Sequence, residues 1–529
     1  MFDNYYNPYG GQQSLIGWII DNPLLATLIF LLACALFVGI VYFIMDMTRT
    51  LYVCYRAGFR VALPQHAHGI ILGKKHFLRV YSPVNKEDHA AVFGGSGSGK
   101  STAIGTASLR AWIGDGLGFL SRIFNEYLGD RGFYAIDISG DISANVPSWN
   151  CLTFEPLNSR TTPYDVFHAV DLLSDPMDID EALIKIVRLI LPGYNDDEGG
   201  HWFDNRGRDI LEAVFLTFYR KGMEFTEICN EVVSAGYQDL FAEIDAFGYE
   251  EAVKRINQFQ GAPEKHTAGA KGAADAAVAL FSTPRLREVF RRPKDGEVCI
   301  HAETVEESNV FLKIPDNLLE EYAPLVELCT GQLLAYLSGR PPERCRRKLL
   351  ILIDEFASFP KLDITPLLQK YRKRGCRVII MLQSLSQLDK NYGFNIRKEI
   401  IDNCRINVIC EITEPDSADY FSRKAGEHLV KTEVGSGENV SYRYDKQRYF
   451  PPEEFAKLTR HSIILCRGEH LKLRKAYFFK EKSYRDDDRY YPFPASETSG
   501  VSYDKFLGRD DRTEDDFLVK DEADYDDAL

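Results

Sequence analysis

The amino-acid sequence predicts an α/β protein with an all-helical insertion and one N-terminal transmembrane helix. Residues 23–45 form an apolar run without charges. Largely apolar runs recur at 90–93, 348–353 and 377–382, as expected of strands buried in a parallel sheet. Between 161 and 289, apolar residues recur instead at three- and four-residue spacing, which is typical of helices.

The first element is the apolar run at 23–45, which is long enough to cross a bilayer of about 30 Å as a helix. Residues 1–22 contain no Lys or Arg, whereas Arg49, Arg56 and Arg60 follow the run. Because basic residues favour the cytoplasmic side, we expect a single-pass anchor in a lipid bilayer, with the N-terminus outside. A cleaved signal peptide fits less well, because a basic n-region is lacking and the run is too long.

The second element is a glycine-rich loop that follows the strand at 90–93 and precedes a helical pattern. It satisfies G-x-x-x-x-G-K-[ST], in which backbone N–H groups and a helix N-terminus bind phosphate. Lys100 is expected to reach the β- and γ-phosphates of ATP, and the Ser101 hydroxyl to join the Mg²⁺ shell. A glycine–serine linker is the alternative, but it would not require a strand before it and a helix after it. The predicted nucleotide-binding residues are Gly94, Gly95, Ser96, Gly97, Ser98, Gly99, Lys100, Ser101 and Thr102.

The third element is the strand at 348–353, which ends in Asp354 and Glu355. Ligands bind at the carboxyl ends of strands in open α/β folds. Asp354 therefore suits the Mg²⁺ shell, and Glu355 suits the polarisation of an attacking water. The pair predicts hydrolysis of ATP rather than binding alone. A strand that ends in solvated acids is the alternative, and the glycine-rich loop disfavours it.

The fourth element is the strand at 377–382, which is followed by Gln383. A polar residue here can sense the γ-phosphate or orient water. Arg372, Lys373 and Arg374 precede this strand, and ring ATPases use an arginine supplied by a neighbouring subunit. From these residues alone, an ordinary solvated helix end is an equally good interpretation.

Several further segments belong to the predicted sheet or to the insertion. GFYAIDISGD, INVICEI, SIILC and KAYFF are predicted as strands, and APEKHTAGAKGAA as a flexible segment or tight turn. The net charge is −14, and residues 504–529 carry eleven acids against four bases. That tail is expected to be disordered, either as a solvated terminus or as an interaction segment. Eleven scattered cysteines lack zinc-ligand spacing and are expected to be reduced.

Four blocks of the sequence resemble the type IV secretion coupling proteins, the TraG/TraD-like conjugation ATPases. These are HWFDNRGRDILEAVF, LLILIDEFASFPKL, YRKRGCRVIIMLQSLSQLDKNYG and ITEPDSADYFSRKAGE, and the likeness runs from about 68 to 480. It implies a P-loop RecA-like nucleotide-binding domain with an inserted all-α domain. Position by position, it implies that Lys100 and Ser101 belong to the phosphate loop and that Asp354 and Glu355 form the family's acidic motif. It also implies that Gln383 is the sensor glutamine and that Arg372 is a candidate arginine finger. Ser139 stands where many members have a lysine.

The resemblance also implies a domain organisation and a setting. The expected limits are 1–22 for an extracytoplasmic tail, 23–46 for the transmembrane helix, 60–160 and 290–482 for the ATPase domain, 161–289 for the all-α domain and 483–529 for an acidic tail. We expect a hexamer at the bacterial inner membrane that contacts inner-membrane components of the secretion channel. It would recruit relaxase-bound single-stranded DNA and drive its transfer by ATP hydrolysis. Members commonly have two spans, whereas this sequence shows one.

Two other functions stay open at this point. An ATP-gated receptor for protein substrates would use the helical insertion and the acidic tail to bind secreted proteins. A DNA translocase of the chromosome-segregation type would use the same ATP chemistry. Such translocases usually have several spans or a winged-helix DNA reader, and the sequence shows neither. The residues alone identify no aromatic or basic surface for DNA.

Overall fold

The computed structural model describes residues 23–114, 130–138, 140–146, 150–158, 160–192, 201–341, 347–359, 362–434 and 441–480. The expected tails at 1–22 and 483–529 lie outside these ranges, as do Ser139 and Cys345. The strands are β1 (Arg60–Ala62), β2 (Gly69–Lys75), β3 (Leu78–Pro83), β4 (Ala90–Gly94), β5 (Arg131–Asp137), β6 (Cys151–Phe154), β7 (Asn309–Lys313), β8 (Lys348–Ile353), β9 (Cys376–Leu382), β10 (Ile406–Glu411), β11 (Glu427–Val434), β12 (Ser441–Arg448), β13 (His461–Cys466) and β14 (Glu469–Arg474).

The helices connect and cover these strands. They are α1 (Pro23–Ala57), α2 (Thr106–Ile113), α3 (Asp141–Ala144), α4 (His168–Asp171), α5 (Pro176–Ile190), α6 (His201–Arg220), α7 (Phe225–Ser234), α8 (Tyr237–Phe247), α9 (Glu250–Asn257), α10 (Glu264–Val278), α11 (Pro284–Val289), α12 (Leu319–Gly339), α13 (Thr365–Lys370), α14 (Leu385–Asn403), α15 (Pro415–Ala425) and α16 (Pro452–Phe455).

A twelve-stranded mixed sheet forms the body, in the order β1-β3-β2-β14-β13-β10-β4-β9-β8-β5-β7-β6. The strands from β10 to β6 are parallel, and the other five pair antiparallel. Alternate side chains of β4 enter different cores: Phe93 packs on one face of the sheet and Val92 on the other. Burial on both faces explains the uninterrupted apolar runs. The carboxyl ends of β4, β5, β8, β9 and β10 therefore share one edge.

The chain between β6 and β7 contains helices α4 to α11. The backbone of Tyr164 forms bridges with Phe290 and Ile300, so the start and the end of this helical segment meet. The rings of Phe154, Tyr164 and Phe290 pack together, with centroids 5.1 to 5.7 Å apart. This aromatic cluster joins the helices to the sheet.

The glycine- and alanine-rich stretch at 262–274, predicted as a flexible segment or turn, is mostly helix α10. The prediction was wrong because small residues serve helix packing here. A methyl group added to Gly207 of α6 would lie 2.7 Å from the carbonyl oxygen of Ala270. The two helix backbones approach so closely that only small side chains fit between them.

Helix α1 continues beyond the predicted span to Ala57. Among the described residues, it is the one helix long and apolar enough to cross a membrane, and an 18-residue stretch of it has a mean hydropathy of 2.9. From Asp46 onward it packs on the sheet. The Asp46 carboxylate accepts from Lys75 at 2.8 Å and from His76 at 2.9 Å, and Arg56 pairs with Glu469 at 2.8 Å. One continuous helix therefore connects the apolar segment to the sheet.

The segment KAYFF at 475–479, predicted as a strand, is not one. Strand β14 ends at Arg474, and a 3₁₀ turn forms at Phe478–Lys480. The buried ammonium of Lys475 donates to the carbonyl oxygens of Leu458 at 2.7 Å and Thr459 at 2.9 Å. A buried ammonium requires such acceptors, which here lie outside the strand ladder.

Candidate active site

The glycine-rich loop leaves the carboxyl end of β4 in a backbone shape that needs glycine. Gly97 and Gly99 have φ values of 75° and 81°, which residues with a side chain rarely adopt. The Gly95 amide donates to the carbonyl oxygen of Glu411 at 3.1 Å and so fixes the loop to β10. The chain then enters a π-helical turn, Lys100–Gly105, that leads into α2. The first turn of a helix has amides without intrahelical partners, so this junction offers donors to an anion.

The other loop residues occupy the positions that the motif requires. Ser96 lies at the exposed tip of the loop, whereas Ser98 is buried. A methyl group added to Gly94 would lie 2.4 Å from the Ser98 hydroxyl, so the motif's first position has no room for a side chain. Ser101 and Thr102 follow Lys100 in the π-helical turn and are half-buried. The whole predicted loop therefore lies at one end of β4.

Lys100 is buried, with only 6% of the residue exposed. Its ammonium donates to the carbonyl oxygens of Gly94 at 2.6 Å and Gly95 at 3.1 Å. It lies 3.9 Å from Oε1 of Glu355. Charged oxygens are stronger acceptors than carbonyl oxygens, so a phosphate at the loop would compete well for this ammonium.

Asp354 follows β8 at the same edge of the sheet and is buried. Burial raises the pKa of its carboxyl group to about 7, and repulsion from Glu355 and Asp137 adds to the rise, against attraction from Lys100. A carboxylate whose charge is this costly is stabilised by a nearby cation. Its oxygen chemistry and place beside the loop fit a ligand of Mg²⁺.

Glu355 has the left-handed backbone angles φ 46° and ψ 44°, which are rare for residues other than glycine. Such strained residues persist only where the surrounding structure holds them, and they cluster at functional sites. Its amide donates to Oδ1 of Asp354 at 3.1 Å. Its carboxylate accepts from Nε2 of Gln383 at 3.2 Å. The turn thus points the carboxylate between Gln383 and Lys100.

Gln383 follows β9 and is itself held by a residue that the sequence did not indicate as functional. Nε2 of Gln387 donates to Oε1 of Gln383 at 3.1 Å. The hydroxyl of Ser384 caps α14 by accepting from the Gln387 amide. Gln383 and Gln387 are four residues apart at the start of a helix, and this spacing was the sequence signal for their contact.

Asp137, at the end of β5, is a second contributor that the predicted site did not include. Its carboxylate is fully buried and accepts from the amides of Gly140 at 3.1 Å and Ser143 at 2.7 Å. It therefore stabilises the start of α3 and adds negative charge behind Asp354. The polar residues that follow the apolar strand were the sequence signal for Asp137.

The structure does not bring Arg372 to the other residues within one chain. The 3₁₀ turn Tyr371–Arg374 precedes β9, at the edge of the sheet opposite to the glycine-rich loop. A seven-residue strand separates the two edges by about 20 Å. The side chain of Arg372 lies outside the described part of the structure. Arg374 donates to the carbonyl oxygen of Arg340 in its own chain.

Comparison with known proteins gives the family of this chain. Residues 148–499 match the family model described as type IV secretory system conjugative DNA transfer. Two conjugal transfer proteins TraG of Escherichia coli are 21% and 19% identical over 297 and 392 residues, which is 54% and 68% of this chain. The alignments cover 45% and 58% of those relatives, so this chain spans about half the length of the curated relatives that it matches.

Solved structures show the same fold. The unbound form of the bacterial conjugative coupling protein TrwB is 22% identical, with a TM-score of 0.58 over 74% of this chain and 85% of that one. TrwB in complex with ADP and Mg²⁺ is 21% identical, with a TM-score of 0.57 over 75% and 87% of the two chains. The predicted fold class is thereby confirmed: a P-loop RecA-like domain with an inserted all-α domain and one apolar N-terminal helix.

The raised pKa of Asp354 predicts that Asp354→Asn stabilises the chain without ligand. The unfolded carboxyl group ionises near pH 4 and the folded one near 7, so its contribution to stability falls as pH rises between these values. At pH 8 the amide removes the cost of the buried charge. We expect the midpoint of thermal unfolding to rise by roughly 2–5 °C at pH 8, by less at pH 5, and to approach the wild-type value near pH 4.

Asp88→Asn provides the matched control for thermal unfolding in detergent. The Asp88 carboxylate is also buried, but it pairs with Arg405 at 3.2 Å and Arg467 at 2.9 Å. Its loss should lower the midpoint at pH 8 and at pH 5, because two guanidinium groups lose their partner. A lower midpoint for Asp354→Asn at pH 8 would contradict the costly charge inferred for Asp354.

Proposed function

The chain belongs to the type IV secretory system conjugative DNA transfer family, and on that premise we propose that it is a membrane-anchored ATPase that couples DNA to a type IV secretion channel. One observation carries the ATPase part of this proposal. Lys100, Asp354, Glu355 and Gln383 come from three separate parts of the sequence and meet at one edge of the sheet. ATP hydrolysis requires a group of each of these types at one place.

Each side chain has a distinct part in the proposed reaction. The amides of the glycine-rich loop and the ammonium of Lys100 bind the phosphates and neutralise charge that develops during transfer. The Ser101 hydroxyl and the Asp354 carboxylate would hold Mg²⁺, which supplies a positive charge for the β- and γ-phosphates. Glu355 accepts a hydrogen bond from the attacking water and polarises it. Gln383 orients the carboxylate of Glu355. The structure of TrwB in complex with a non-hydrolysable ATP analogue supports ATP as the nucleotide.

We propose that the subunits form a hexameric ring, and the position of Arg372 supports this arrangement. Its turn lies at the sheet edge opposite to the loop of its own chain. In a closed head-to-tail ring, that edge can face the loop of the next subunit. Arg372 would then supply positive charge to the γ-phosphate in the neighbouring site, as an arginine finger does.

The membrane and DNA parts of the proposal rest on family membership and on α1. We place α1 in the bacterial inner membrane with its N-terminus outside, since basic residues follow its apolar part. The sheet and the insertion at 161–289 would form the cytoplasmic part, as the ATPase and all-α domains. The proposed partners are relaxase-bound single-stranded DNA and the inner-membrane components of the channel.

Two substitutions should separate nucleotide binding from turnover. Lys100→Ala removes the buried ammonium from the loop and should abolish both ATP binding and hydrolysis. Glu355→Gln keeps the shape but cannot polarise water, so ATP binding should persist while kcat falls by about 10²- to 10⁴-fold. Equilibrium binding and steady-state phosphate release measure the two effects. In the control Glu454→Gln, which removes an ion pair with Lys472 on the surface, both values should stay at the wild-type level.

Mixed rings should show whether Arg372 acts across a subunit boundary. Arg372→Ala and Lys100→Ala subunits should each be inactive alone. When the two are co-expressed, an intact loop meets an intact Arg372 at some interfaces, so about a quarter of the wild-type rate should return. Lys373→Ala, which changes the exposed neighbouring base, should keep the wild-type rate by itself. A co-expressed mixture as inactive as its two components would rule out the neighbouring-subunit role.

A further inference from the structure

An aromatic ring outside the four catalytic groups lies against the glycine-rich loop. A methyl group added to Gly99 would lie 3.1 Å from Cε1 of Tyr477 and 3.2 Å from its hydroxyl oxygen. Gly99 directly precedes Lys100, so the Tyr477 ring is next to the place where phosphates are expected to bind. The proposed hydrolysis gives this ring no chemical part.

The segment that carries Tyr477 is firmly held. Lys475 is buried and donates to two backbone carbonyl oxygens, as described above. Ala476 and Phe478 are buried, and the guanidinium carbon of Arg110 lies 5.7 Å from the centre of the Phe478 ring. Tyr477 and Phe479 alternate with these inward residues and remain half-buried. The packing therefore fixes the Tyr477 ring beside the loop and the Phe479 ring beside Tyr477, and it leaves part of each exposed.

The two half-buried rings form a compact apolar surface with a positive charge at its border. The centroids of Tyr477 and Phe479 are 5.4 Å apart, with 36° between the ring planes. The ammonium of Lys480 lies 5.5 Å from the Tyr477 centroid and 5.9 Å from that of Phe479. Aromatic faces bind the flat faces of nucleic-acid bases, and such stacking tolerates every base. Lys100 and the loop amides do not offer a surface of this kind.

We propose that Tyr477 and Phe479 form the subsite for the base of the bound nucleotide. The loop would bind the phosphates, and the ring pair would stack on the base. The site would thereby favour nucleoside triphosphates over inorganic polyphosphates without strong discrimination between bases. This inference rests on the proposed function, because it requires the phosphates to bind at the glycine-rich loop.

A pair of ligands tests the subsite on the full chain in detergent micelles. One ligand is the non-hydrolysable ATP analogue ADPNP with Mg²⁺, and the other is inorganic tripolyphosphate with Mg²⁺, which has no base. Tyr477→Ala should raise the Kd of ADPNP roughly 5- to 100-fold, as expected from the loss of one aromatic stack. The Kd of tripolyphosphate should change less than about twofold.

The control variant and the ligand pair distinguish a base subsite from mere support of the loop. Tyr477→Phe keeps the ring and should bind ADPNP within about threefold of wild type. Phe479→Ala should weaken ADPNP selectively, like Tyr477→Ala. If Tyr477→Ala weakens the binding of both ligands equally, the ring only supports the loop and the proposed base subsite is wrong. The same conclusion follows if it weakens neither. A wild-type chain that binds neither ligand would overturn the proposed ATPase function as well.

Discussion

The ammonium of Lys100 lies near the carboxylates of Asp354 and Glu355 at the carboxyl edge of the parallel strands, and the buried carboxylate of Asp137 adds to the negative charge there. Asp137 is satisfied by two backbone amides, whereas Asp354 shares its surroundings with Glu355 and gains only partial relief from Lys100. Buried charge of this kind is costly, and strands buried on both faces leave little water to reduce the cost. A site with excess negative charge at its base, and with the first turn of a helix at the end of the loop, is suited to a cation and a phosphate bound together.

The parallel sheet explains why the site residues can be so far apart in sequence. Asp354 and Glu355 directly follow β8, Gln383 directly follows β9, and the loop that carries Lys100 leaves β4. Parallel register brings the ends of these three strands side by side. The same packing holds Glu355 in a backbone conformation that would be unfavourable by itself. The helical insertion between β6 and β7 does not disturb this edge, because its two ends meet at Tyr164. Helix α1 joins the antiparallel side of the sheet, away from the central parallel strands.

The sequence predicted the parts of the candidate site that depend on neighbouring residues. It did not predict the parts that depend on packing between distant segments. The glycine pattern between a strand and a helix predicted the loop, and the acids after β8 predicted Asp354 and Glu355 beside it. Tyr477 could not be predicted, because its place depends on a contact with the distant Gly99. Gln387 is four residues from Gln383, so helical spacing alone could have indicated that contact. The alternation of KAYFF is typical of a strand, but the ammonium of Lys475 donates to the carbonyl groups of residues 458 and 459 instead. Glycine and alanine at 262–274 suit either a turn or close helix packing, and only the partner Gly207 decides between them.

We propose that ATP hydrolysis at this edge of the sheet drives the transfer of DNA. The direct measurement is the steady-state ATPase rate of the full chain in lipid nanodiscs, with and without single-stranded DNA, beside Lys100→Ala as the blank. We expect a rate that single-stranded DNA increases and that Lys100→Ala abolishes in both conditions. A rate that depends on Lys100 but does not respond to DNA would contradict coupling to DNA and favour a receptor for protein substrates.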